Sequence, residues 1–329
     1  MTSQPALRVV EPVEVMAAPA PGLRSMALRR LLRHRLAVIG LGLIAMFALF
    51  GMLAPLIAPH DPSFQDLRHT FAPMSWDHIA GTDNLGRDWF SRLLYGTRIS
   101  LAIGLFSQLI VLAIGLPLGL VAGYSGKFAD SLIMRITDLV YAFPDLLLII
   151  LLRSVLGGSI FTLFAIIGLV TWVDLARLVR AQTLSLRERE FVEAARSLGA
   201  SDKAIMTRHI LPNLAGPVTV VVAFGVPRAV FIEAALSFIG IGVNAGTPSW
   251  GTMVQEGYIG IFSNPHLVIF PAVAIALLML AFTFLGDGLR DALDPRLQTA
   301  SSHYAEPQRE ESTRSRPLPG RDEELRKAA

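Results

Sequence analysis

Apolar residues run through this chain in six long stretches, separated by polar segments of unequal length. They cover about residues 36–58, 99–123, 131–152, 161–178, 216–239 and 267–285. A run of about 18 or more apolar residues with few charges is long enough to cross a bilayer as a helix. The pattern therefore predicts an all-α integral membrane protein with six transmembrane helices. The first run is too long for a signal-peptide core and lacks a small-residue cleavage site, so it reads as a retained span. Pro117, Pro144 and Pro227 fall inside spans and predict kinks whose freed carbonyls are satisfied by neighbouring helices.

The polar segments complete the division. Residues 1–26, rich in Ala, Pro and Val, and the charged residues 297–329 read as disordered tails. Residues 27–58 hold an amphipathic helix and the first span. In that helix Leu28, Leu31, Leu32 and Leu36 recur at helical spacing against Arg29, Arg30, Arg33 and Arg35. Such a helix suits the anionic surface of an inner leaflet, so membrane lipid is an expected partner. Residues 59–97 form a loop, and residues 98–296 a five-helix core that includes the polar loop 185–212.

Arginine placement sets the orientation. The segments before the first span, between the fourth and fifth, and after the sixth are rich in Arg. Loops 154–160 and 240–266 contain no Lys or Arg, and in 59–97 acidic residues outnumber Arg68, Arg87 and Arg92. The positive-inside rule places both termini and loop 185–212 in the cytoplasm of a multi-pass cell-membrane protein.

Composition removes several chemistries. The chain is 53% hydrophobic and 17% charged, with a net charge of +3. Basic residues beside spans read as topology signals, so no nucleic-acid partner is expected. With no cysteine, disulfides and thiolate sites are excluded. The seven histidines are scattered and form no HExxH pair, so no metal site is expected. Gly126-Lys127 resembles the end of a phosphate-binding loop. However, Val121 and Phe128 stand where that loop needs Gly and Ser or Thr. ATP binding by this chain is therefore not expected, and neither is an enzyme activity of its own.

Within loop 185–212, Phe191, Ala194, Ala195 and Leu198 fall at i, i+3, i+4 and i+7 and define one apolar helix face. Arg189, Glu193 and Arg196 lie opposite. Gly199 can close this helix in a left-handed conformation, Ser201 can cap the next, and Asp202 suits its first turn. Pro212 is expected to end that second helix. The product is a helix–turn–helix below the membrane, read either as a docking element or as an amphipathic helix resting on the bilayer.

Ionisable groups at membrane depth are costly and tend to be functional. Arg135 and Asp138 are three residues apart, as are Asp174 and Arg177, so each pair can form on one helix face. Arg228 and Glu233 lie deeper in the fifth span. They either face a translocation path or pair with a neighbouring helix.

Glu193-Ala194-Ala195, then Gly199, then Leu211-Pro212 resembles the signature loop of the integral-membrane subunits of ABC importers. That pattern often carries Ile where this chain has His209. Four further segments, RRLLRHRLAVIG at 29–40, GTDNLGRDWFSRLLYGTRIS at 81–100, ALSFIGIGVNAGTPSWG at 235–251 and LGDGLRDALDPR at 285–296, are similar to the C-type permease of dipeptide, oligopeptide and nickel importers. The matches span most of residues 26–296. The resemblance implies a type I ABC importer permease fold with a cytoplasmic coupling-helix loop. It implies three kinds of partner: a second permease in a heterodimer, two ATP-binding subunits, and an extracytoplasmic substrate-binding protein that delivers peptides. ATP would be bound by the partners, with no cofactor on this chain. Phe191, Glu193, Ala194, Ala195, Gly199, Asp202, Leu211 and Pro212 would couple to the ATPase. The competing readings are a stand-alone secondary transporter of small polar solutes, which should show inverted repeats, and a membrane-embedded enzyme built on Arg228 and Glu233.

Overall fold

The computed structural model describes residues 23–244 and 246–293. Within them α1 (Leu23–Arg33) and α2 (Arg35–Ile57) are separated at His34, whose Nδ1 accepts the Ala37 N–H at 3.1 Å and caps α2. The expected tails otherwise lie outside the described residues, except that α1 already begins at Leu23. Leu28 and Leu32 of α1 stand exposed.

The helix α3 (Trp89–Tyr124) starts well inside the segment expected to be loop. Asp88 causes this: its Oδ2 accepts the Ser91 N–H at 2.8 Å, an N-cap that opens the helix early. At 36 residues α3 is about 54 Å long, so it projects beyond a hydrocarbon layer of about 30 Å.

The third apolar stretch is not one straight helix. It divides into α4 (Lys127–Tyr141) and α5 (Asp145–Leu156), which meet at 84°. Pro144 has no N–H to continue the ladder, and its ring drives Phe143 out of helical geometry. Five helices are thus long and apolar enough to cross a membrane, or up to six spans with the bent pair counted as one. The others are α6 (Ile160–Arg187), α8 (Asp202–Phe238) and α10 (His266–Leu293). A 3₁₀ turn (Leu67–His69) and two short helices, α7 (Glu190–Ser197) and α9 (Trp250–Tyr258), complete the described residues.

Pro212 does not end a helix. The chain from Asp202 continues through it into the fifth span. A π-turn over Ile205–Ile210 widens the helix just ahead of the proline. That widening gives the ring the space that regular i→i−4 geometry would deny it.

The longest packing seam joins α3 to α6, and glycine makes it possible. Gly115, Gly119 and Gly123 recur every four residues on one face of α3. A Cβ on Gly119 would lie 2.5 Å from the Ala176 carbonyl oxygen, and one on Gly115 would lie 2.8 Å from that of Trp172. Close backbone approach of this kind is how membrane helices associate when lipid gives no hydrophobic drive.

At one end of the bundle α7 packs on α6 and the start of α8, beside Tyr124 and Arg187. Residues 58–88 and 239–265 gather at the other. There Arg87 pairs with Asp83 (2.6 Å) and Glu256 (3.0 Å), and Arg92 with Glu256 (2.5 Å), an ion network in which both arginines are buried. Trp250 is fully buried. Its backbone N–H donates to Ser100 Oγ at 3.2 Å and its indole N–H to the Leu93 carbonyl at 3.2 Å. It anchors α9 on α3.

Candidate functional site

Among the described residues, the polar groups singled out by the sequence fall in two regions. The first is the elbow around α7. Its sequence amphipathicity is resolved differently from the expected single stripe. Val192 and Ala195 turn inward and are buried with Leu175, Val179, Ile205, Ile210 and Leu214. Phe191, Ala194 and Leu198 turn outward, with Phe191 41% and Leu198 89% exposed. Ala195 therefore does not share a face with the other three. The inward pair fixes α7 to α6 and α8, while the outward three form a small apolar ridge at the tip.

The turn follows the expected chemistry. Gly199 has φ +81°, the Gly199 N–H donates to the Arg196 carbonyl (3.0 Å) and the Ala200 N–H to that of Ala195 (3.1 Å). These bonds close α7 in a left-handed glycine cap. Ser201 then caps α8. Asp202 Oδ1 accepts the Tyr124 hydroxyl at 2.7 Å, tying the start of α8 to the end of α3. A cleft of about 700 Å³ opens here, lined by Tyr124, Arg187, Glu193, Arg196, Asp202 and Met206. Hydrogen bonding to the Tyr124 oxygen pushes the Arg196 guanidinium above its ordinary value. Glu193 and Asp202 are thus brought together at the cleft, while Gly199 only closes α7. Leu211 and Pro212 lie beyond the π-turn on the shaft of α8, away from the tip.

The second region is a charged seam on the membrane-spanning part. The expected i,i+3 pairs Arg135–Asp138 and Asp174–Arg177 do not form; the partners come from other helices. Arg177 donates to Asp138 at 2.6 Å, and its guanidinium stands 4.2 Å from the centre of the Tyr141 ring. Arg228 donates to Asp174 and to Asp145, both at 2.6 Å. The bend at Pro144 enables this, because it sets Asp138 and Asp145 on either side of one corner, facing α6 and α8. The seam is half-exposed, with the Arg228 side chain 47% accessible. Ion pairs at that depth are too costly to face hydrocarbon, so this surface meets protein or water.

Glu233 does not join Arg228. It is fully buried, and its Oε1 accepts hydroxyls from Ser237 (2.7 Å) and Ser249 (2.6 Å). Ser100 Oγ lies 3.5 Å from its Oε2. Glu233 presents no surface to a path in this chain; it holds α8 to α9 and α3. The glycine seam and the Arg92–Glu256 network were missed in the sequence. Only the four-residue glycine spacing offered a signal there.

Removing the Arg228 guanidinium leaves two carboxylates facing each other. Arg228→Gln is expected to lower the melting temperature of the purified chain, since charge-assisted bonds contribute about 1.5–3 kcal/mol, and less where half-exposed. Pairing with Asp145→Asn should restore part of it. Thermal unfolding of the purified variants in detergent is the measurement.

Comparison with known proteins now adds to this geometry. Residues 115–299 match the family described as binding-protein-dependent transport system inner membrane component. The chain belongs to this family. Residues 22–73 also match the N-terminal TM domain of oligopeptide transport permease C. The oligopeptide transport system permease protein OppC of Bacillus subtilis (strain 168) is 40% identical over 272 residues, covering 83% of this chain and 89% of that one. The dipeptide transport system permease protein DppC of the same organism is 41% identical over 273 residues, covering 83% and 85%. The glutathione transport system permease protein GsiD of Pectobacterium atrosepticum is 41% identical over 272 residues, covering 82% and 90%. A solved structure of the MetNI methionine ABC transporter in inward-facing conformation superposes with TM-score 0.51 at 22% identity, over 62% of this chain and 97% of that one. The fold is that of an ABC-importer permease in a multi-pass inner-membrane protein, and a stand-alone secondary transporter is set aside.

Proposed function

We propose that this chain is the non-catalytic permease subunit of an ATP-driven peptide importer. The observation that carries the reading is the exposed ridge Phe191–Ala194–Leu198 on a helix locked to the spans through Val192 and Ala195. An apolar ridge at a polar tip suits a groove on a water-soluble partner, and its rigid anchoring lets motion of that partner reach α6 and α8. The partner is an ATP-binding subunit, present in two copies, which supplies the ATP site. Both termini and α7 face the cytoplasm, in keeping with the arginine distribution. Residues 58–88 and 239–265 then face the extracytoplasmic binding protein.

Peptides are the proposed cargo because the similar proteins named above serve oligopeptide, dipeptide and glutathione systems. The Arg228–Asp145–Asp174 seam lies along the path shared with a second permease, where fixed charges of both signs can meet a zwitterionic peptide. ATP shifts the transporter only to the extent that it binds one conformation more tightly than the other. Affinity purification of the tagged chain from native membranes tests the assembly. Recovery of a second permease and ATP-binding subunits is expected; recovery of the chain alone, under conditions that keep it folded, contradicts it.

A further inference from the structure

The histidines look scattered in sequence, but the fold gathers two of them at a carboxylate. His60 follows the end of α2, His78 sits in the loop before α3, and Asp88 is the α3 N-cap. Capping uses only Asp88 Oδ2, which accepts from Ser91. The other oxygen, Oδ1, is faced by two imidazole nitrogens, His78 Nδ1 at 2.9 Å and His60 Nδ1 at 3.7 Å. The three ligand atoms lie within 4.8 Å of one another, and Asp88 is 1% exposed at its side chain. His60 Nδ1 is enclosed and has no hydrogen-bond partner.

A hydrogen bond between His78 and Asp88 accounts for one imidazole only. It leaves the His60 nitrogen unmatched, and unmatched buried polar atoms call for a missing partner. A cation between the three groups supplies it. Ligand atoms about 2.0–2.2 Å from a tetrahedral Zn²⁺ are about 3.3–3.6 Å apart, between the two separations from Asp88 Oδ1 found here. The backbone already holds the ligands in place. The His60 N–H donates to Ser91 Oγ at 3.1 Å and the His78 N–H to Ser75 Oγ at 3.1 Å. The His78 carbonyl accepts from Ser75 and Gly81, both at 2.9 Å. These bonds fix the backbone that carries both imidazoles.

We propose that His60, His78 and Asp88 bind one divalent transition cation, Zn²⁺ in the first place, at the end of the bundle opposite α7. Two imidazoles and one carboxylate favour such a cation over Ca²⁺ or Mg²⁺, which take oxygen sets. Three protein ligands leave a fourth position for water or an incoming donor. Bound there, the ion staples the end of α2 to the start of α3 across the whole intervening loop. The sequence predicts no metal site, because these ligands are scattered along the chain.

The test is calorimetric titration of Zn²⁺ into the full-length detergent-purified chain carrying no polyhistidine tag. One ion per chain is expected, and His60→Ala and His78→Ala are each expected to weaken binding by about tenfold or more, as loss of a ligand or its support does. Absence of saturable binding by the unmodified chain overturns the proposal, and so does unchanged affinity in either variant. If a variant fails to fold, Co²⁺ loaded into the unmodified chain decides. Intense visible bands of four- or five-coordinate cobalt support the site, and the weak bands of six-coordinate cobalt overturn it.

Discussion

Replacing Phe191 and Leu198 together by glutamate is expected to release the ATP-binding subunit while leaving the permease folded. Both side chains point away from the bundle and are 41% and 89% exposed. Substitutions at exposed positions commonly change stability by less than about 0.5 kcal/mol. Aromatic and apolar anchors at the centre of an interface contribute about 2 kcal/mol or more each, so losing one weakens binding about thirtyfold. Two new carboxylates would add desolvation cost. ATPase retained on the affinity-purified permease should fall close to background, with melting temperature unchanged. Val192→Asp provides the contrast. Val192 is fully buried beside Ile205 and Leu214, so this change should lower the melting temperature itself. Normal ATPase retention by the double variant would show that the ridge docks nothing.

Gly119→Val is expected to have the largest effect on folding. The added Cβ would stand 2.5 Å from the Ala176 carbonyl oxygen and 2.7 Å from Val179 Cβ. The first is backbone and cannot swing aside, so α3 and α6 must separate along their seam. Overpacking costs about 1–3 kcal/mol where a core can adjust. Here the separated helices would also lose the contacts at Gly115 and Gly123. The folded fraction recovered in detergent should drop severalfold. Gly42→Ala is the control: nothing lies within 4 Å of its added Cβ, and alanine favours helix over glycine by about 1 kcal/mol. Its melting temperature should hold or rise. Equal behaviour of the two variants would deny the seam its role.

Hydrophobic runs made most of the fold legible, because the spans are long and local in sequence. Gly199 and Ser201 were legible for the same reason, since a cap is decided within a few residues. What escaped depended on other helices. Pro212 looked like a stop, yet the π-turn just ahead of it carries the helix onward. Pro144 predicts a kink and is a corner of 84°. Asp138 and Arg177 looked paired with near neighbours on their own helices and pair with each other instead. Glu233 looked like a path residue, but three serines from α3, α8 and the α9 cap surround it. For Ala195, helical spacing alone could not show that it turns inward with Val192 while Phe191 and Leu198 turn out.

The central claim, that motion of an ATPase reaches the path through α7, is tested most directly by peptide accumulation in sealed vesicles. The permease pair, the ATP-binding subunits and the binding protein are reconstituted together. Accumulation should require ATP, survive a protonophore, and vanish when Phe191 and Leu198 are replaced by glutamate. Uptake driven by an ion gradient without ATP, or unchanged in that double variant, would contradict the account.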